Sequence, residues 1–158
     1  MKRTVPDKVS FPKGIVKYFA AEIKKKLPKE IAVIEVALAK SRQLNRSYQG
    51  KDKATNVLSF LYDKEHGEII ICPSVVRREA RIQNHSFQYQ MTWMIVHGMI
   101  HLAGMHHEKS EAIAEKVQKL ERRILEKVFD LNSRKSQDTR IKNQAGTKKK
   151  TIHTVLNS

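Results

Sequence analysis

Residues 82–107 read IQNHSFQYQMTWMIVHGMIHLAGMHH. The stretch has no Asp, Glu, Lys or Arg, in a chain that is 30% charged. Phe87, Met91, Met94, Ile95, Met99, Ile100 and Leu102 cover most sides of a helical repeat. The pattern predicts a helix buried at the centre of the fold. It is not a membrane span, because Gln88, Gln90, His97 and His101 interrupt it. No uncharged apolar run elsewhere reaches the ~18–20 residues that crossing a bilayer requires.

The flanking sequence supplies the layers such a helix needs. Ile15, Tyr18, Phe19, Ile23 and Leu27 recur at helical spacing, so Gly14–Leu27 reads as one amphipathic helix stopped by Pro28. Glu30–Ala39 is short and β-branched and reads as a strand, with helix as the alternative. Ser41–Tyr48 follows as a short helix with Ser41 as its N-cap. Asn56–Tyr62 and Glu68–Cys72 read as strands joined in a hairpin through a Gly-containing loop. Pro73 closes the second of them, and Ser74–Asn84 reads as helix. Ile113, Val117, Leu120, Ile124 and Val128 put a helix over Ser110–Val128. Beyond Leu131 the sequence is polar and basic with little periodicity. The reading is therefore a folded domain over 1–130 and a basic, disordered tail over 131–158.

The 158 residues carry 31 Lys and Arg against 16 Asp and Glu, a net charge of +15, which makes a polyanionic partner the expectation. The excess lies in residues 1–53 and 131–158, and the middle section balances. One cysteine, Cys72, excludes an internal disulfide framework and fits a reducing compartment. The N-terminus shows no apolar segment of a secretory signal. A cytoplasmic location is expected.

Four of the seven histidines fall within 97–107. His97 and His101 are four apart, so their rings share one helix face, one turn apart. Gly104 can end the helix in the left-handed conformation and turn the chain back. His107 then supplies a third nitrogen to the same ion. His106 adjoins it and can exchange roles with it. Three imidazoles leave a coordination position open, as in catalytic sites. Zinc suits this donor set, with nickel and copper as competitors. The spacing is also that of the metzincin proteases, H-E-x-x-H-x-x-G-x-x-H, but Gly98 stands where their general base, Glu, would be.

These histidines do not stand alone. Leu44-Asn45, Tyr48, Lys51-Asp52, Ala54-Thr55-Asn56-Val57-Leu58-Ser59-Phe60, Gly67-Glu68-Ile69 and the run His97-Gly98 through His107-Glu108 resemble the bacterial YbeY family, in the right order over roughly residues 13–128. The resemblance implies an α/β (α+β) fold, a small mixed sheet packed with helices around a buried central helix that carries metal ligands. It implies a zinc- or other metal-dependent, single-strand-specific endoribonuclease acting in ribosomal RNA maturation and ribosome assembly. RNA and the small ribosomal subunit become the expected partners, with no membrane and no DNA. The metal ligands carry over to His97, His101 and His107. The family's Arg after the Tyr is Gln49 here, its Asp before the last His is His106, and the basic tail is an addition. Arg46, one helical turn earlier, is expected to replace the missing Arg as the catalytic phosphate contact. Arg46, Lys51 and Lys53 are expected to hold the RNA backbone. The alternative is a non-catalytic RNA-binding assembly factor with a structural metal.

Overall fold

The computed structural model describes the backbone of residues 11–144 and the side chains of residues 14–130. Three strands form one mixed sheet. β1 (Glu30–Glu35) runs parallel to β3 (His66–Ile71), and β2 (Val57–Leu61) pairs antiparallel with the other edge of β3. The order β1-β3-β2 leaves β2 at an edge. The small mixed sheet and the β2–β3 hairpin are as expected. Helices α1 (Phe11–Val16), α2 (Ala21–Lys24), α3 (Leu38–Gln49), α4 (Pro73–Gln83), α5 (Phe87–Leu102) and α6 (Glu111–Gln144) complete the described residues.

The sheet presents Gly67, Ile69 and Ile71 to α5, while α1, α4 and α6 pack on its other sides. Ile69, Ile95, Val96, Met99 and Ile100 are fully buried. β-branched residues lower helix propensity by less than about 0.7 kcal/mol each, against ~1.5–3 kcal/mol for burying such a side chain. Packing therefore decides the conformation of this stretch. At the start of α5, Ser86 accepts a hydrogen bond from the Tyr89 N–H at 2.9 Å. No described helix is long and apolar enough to cross a membrane.

The close approach of α5 to the sheet depends on Gly98. A Cβ there would lie 3.0 Å from both Ile69 Cγ2 and Ser59 Oγ, and the Ser59 hydroxyl donates to the Gly98 carbonyl at 3.1 Å. The position that carries the metzincin base thus faces the sheet. Gly98→Ala is expected to destabilise by about 1–3 kcal/mol through overpacking, read as a lower urea midpoint in the presence of chelator. An unchanged midpoint would mean that the sheet yields without cost.

Four expectations need correction. The helix expected over 14–27 is two short helices, because Ala20 is extended (ψ 147°) and turns the chain. The break still delivers Ile15 and Phe19 to the core, with Ile23 and Leu27 packed against it. The strand expected to Ala39 ends at Glu35, and helix begins at Leu38, so both readings of that apolar run hold in part. Ser41 is not an N-cap but a buried residue inside α3. Finally, the helix expected over Ser110–Val128 continues to Gln144 as α6. No Gly or Pro occurs between 131 and 144, and extending an existing helix is far easier than starting one. The remainder of the expected tail, 145–158, lies outside the described residues.

Candidate metal centre

The end of α5 builds the site. The Gly104 N–H donates to the His101 carbonyl at 2.9 Å and the Met105 N–H to the Ile100 carbonyl at 3.3 Å, with Gly104 at φ +86°. This is a Schellman closure, and it requires the left-handed residue that the sequence places there. A Cβ at Gly104 would meet nothing within 4 Å, so backbone conformation, not space, calls for glycine. The chain then runs extended through His106 into a 3₁₀ turn at His107–Lys109, which folds back over the last turn of α5.

His97, His101 and His107 come together there, with one ring nitrogen from each lying within 4.8 Å of the others. The Nε2 atoms of His97 and His101 are 3.0 Å apart. A tetrahedral ion with ~2.05 Å bonds sets its donors ~3.3 Å apart, so these residues fit a metal with little adjustment. Burial, and then the His97 ring, push the His101 imidazole down to about 4, so near neutral pH it is an uncharged donor. His106 sits on the other side of His101, with its Nδ1 at 3.2 Å from the His101 Nδ1.

Glu121 of α6 was not apparent from sequence. The residue is 5% exposed; one carboxylate oxygen accepts from His97 Nδ1 and the other from the Trp93 indole N–H at 2.9 Å. The first contact fixes the proton of His97 on Nδ1 and turns the Nε2 lone pair toward the other histidines. The available signal was Glu121 itself, a carboxylate set in the Val117–Ile124 apolar stripe. A carboxylate accepts at both ends, whereas an amide accepts at only one. Glu121→Gln therefore leaves either Trp93 or His97 without an acceptor. Metal affinity is expected to fall about 10–100-fold, measured by competition with a chromophoric chelator. Affinity within twofold of the parent would show that Glu121 does not orient His97.

A cleft of about 480 Å³ opens over the histidines, lined also by Gln49, Lys51, Lys53, Asn56, Ser59 and Glu108. The loop bearing the two lysines is tied to α3. Ser41 Oγ donates to the Thr55 carbonyl at 2.8 Å and accepts from the Thr55 N–H at 2.9 Å. Asn45 Nδ2 donates to the Lys53 carbonyl at 2.9 Å. Arg42 grips Asp52 with two hydrogen bonds of 2.8 and 2.9 Å, which hold the Asp52 carboxyl below its ordinary range. Ser41, Asn45 and Gln49 thus form one stripe of α3, at spacings of four, directed at the loop and cleft. Arg46 belongs to the next stripe. It lines a separate depression with Arg42 and Asp52, so the structure does not bring it to the histidines as expected. Lys51 and Lys53 are brought there.

The sequence profile described as "Endoribonuclease YbeY" matches residues 5–129, a span that includes every cleft residue. The chain belongs to the YbeY family. An endoribonuclease YbeY of Aromatoleum aromaticum is 44% identical over 99 residues, covering 61% of this chain and 64% of that protein. One from Thermotoga neapolitana is 32% identical over 124 residues, covering 75% and 83%. The chain spans less than two thirds of the length of the first of these YbeY relatives. A Thermotoga maritima protein of known solution structure shares the fold, with a TM-score of 0.53 and 25% identity over 80% of this chain and 88% of that one.

Proposed function

We propose that this chain is a metal-dependent endoribonuclease that cuts single-stranded RNA and acts in the cytoplasm in ribosomal RNA maturation and small-subunit assembly. The observation that carries the reading is the meeting of the three histidines with Lys51 and Lys53 in one cleft of a YbeY family member. Zinc is the proposed ion, held by His97, His101 and His107. When bound, it supplies Lewis acidity beside the scissile phosphodiester.

The chain's own residues do the rest. Lys51 and Lys53 attract the phosphate backbone by charge, and their tethered loop keeps them at the cleft. The Gln49 amide donates to a phosphate oxygen without adding charge. Glu121 keeps His97 in the tautomer that points its lone pair inward. A cleft of about 480 Å³ has the dimensions of a small-ligand site, which favours an unpaired strand over a duplex. Free, buried Cys72 agrees with a reducing compartment. The ribosomal assignment rests on the resemblance of the motifs to the family.

The test is cleavage of labelled single-stranded and duplex RNA with and without chelator. Cutting of the single strand that chelator abolishes and zinc restores is the expected result. Tight RNA binding without cleavage under any metal would favour the non-catalytic assembly factor, and neutral Gln49 in the cleft is the observation on that side. The tail is proposed as a polyanion-binding arm. Deleting 145–158 removes Lys148, Lys149 and Lys150, and should flatten the log–log salt dependence of RNA affinity by roughly 0.7–0.9 per lost phosphate contact. An unchanged slope would mean that the arm does not touch RNA.

A further inference from the structure

The histidine cluster contains more donors than one ion uses. His101 has imidazole nitrogens of other residues against both of its own: His97 Nε2 is 3.0 Å from its Nε2, and His106 Nδ1 is 3.2 Å from its Nδ1. His101, His106 and Glu108 also offer three donor atoms within 4.8 Å of one another. His106 and Glu108 line the same cleft as the first grouping, and Glu108 is solvent-exposed. His106 stands where the resembled family carries Asp, so this imidazole is a feature of this chain.

We propose that His106, Glu108 and the outer nitrogen of His101 hold a second divalent transition-metal ion, joined to the first through the His101 ring. This rests on the assignment of His97, His101 and His107 as the inner ligands. The donor geometry is favourable, since 3.2 Å is close to the ~3.3 Å donor spacing of a tetrahedral site. Two imidazole nitrogens and one carboxylate oxygen select zinc, cobalt or nickel over magnesium or calcium. Without metal, the His101 and His106 nitrogens can share one proton. The outer ion takes that proton's place, and the proton leaves to solvent. Coordination at Nε2 makes loss of the Nδ1 proton easier, because a bound cation stabilises the deprotonated ligand. The outer ion binds more weakly than the inner one, because Glu108 is solvent-exposed and His101 is shared. In the same cleft as Lys51 and Lys53, it adds positive charge where a phosphate backbone would bind.

The test is titration of the full chain with Zn²⁺ by calorimetry and with Co²⁺ by visible absorption, at matched ionic strength. The parent should take up about two ions per chain in a tight and a weaker class. His106→Ala and Glu108→Gln should each remove the weaker class and leave the tight one, whereas His97→Ala should remove the tight class. His106 and Glu108 lie at the surface turn, and their variants should keep the parent thermal midpoint in chelator. Saturation of the parent by one ion overturns the proposal. So does a weaker class that survives in both variants, which would place it on unrelated surface histidines. If His97→Ala and His107→Ala keep the tight ion while His106→Ala loses it, the inner assignment fails and the outer grouping is the principal site.

Discussion

His101→Ala should lose its metal and cut RNA at least about 10³-fold more slowly than the parent, while keeping its fold. The size of the effect follows from where the ring sits. It packs against both other rings, with its Nε2 3.0 Å from that of His97 and ring centroids 4.6 Å from His97 and 5.2 Å from His107, and the His97 and His107 rings are themselves 5.2 Å apart. Removing it leaves two imidazoles, one fewer than the three protein ligands of a catalytic zinc site. The fold should tolerate the change. His101 lies one residue from the end of α5, outside the apolar core of Ile95, Met99 and Ile100. Its half-buried imidazole is held uncharged, so alanine removes no ion pair from the apoprotein. Metal analysis, cleavage rate and thermal midpoint in chelator would be read together. Full metal content in the variant would sink the ligand assignment, and a collapsed midpoint would show that the ring holds the end of α5.

The core of this site was legible because it is local. A charge-free run, two histidines four apart and a glycine three residues on are all set by the period and the ending of one helix. The structure delivers them in that form. What was not legible depends on partners far along the chain. Glu121 reaches His97 across 24 residues, and nothing near His97 announces it. Ser41 meets Thr55 across 14 residues; read locally, a serine ahead of a short helix looks like a cap. That single misreading has a consequence at the cleft. Once Ser41 is recognised as the tether of the 51–56 loop, the stripe Ser41–Asn45–Gln49 is fixed as the face toward the cleft. Arg46 then lies about 100° round the helix from Asn45 and about 60° from Gln49, at the edge of that face.

That geometry favours position 49 over Arg46 as the phosphate contact. Arg46→Ala should leave kcat within about twofold, as for other exposed substitutions remote from a site. Gln49→Arg should raise kcat, by up to about 10²-fold. Position 49 lines the cleft, whereas Arg46 lies beside the Arg42–Asp52 pair. A glutamine amide offers a neutral donor to a phosphate oxygen. A guanidinium offers a charge-assisted, bidentate one, about twice as strong per bond. One donor aimed at charge that develops in the transition state changes the rate by ~10²–10³. Lys51 and Lys53 line the same cleft, so the gain should fall at the lower end. A contact made equally to bound substrate and transition state would instead lower KM and leave kcat alone. Single-turnover cleavage at saturating RNA separates the two. A rise in kcat with Gln49→Arg would mean that the neutral side chain at 49 limits the parent. A change confined to KM would mean that the two lysines meet the transition-state charge unaided. Loss of kcat in Arg46→Ala would show that its side chain swings round α3 into the cleft when RNA binds, against the placement seen here.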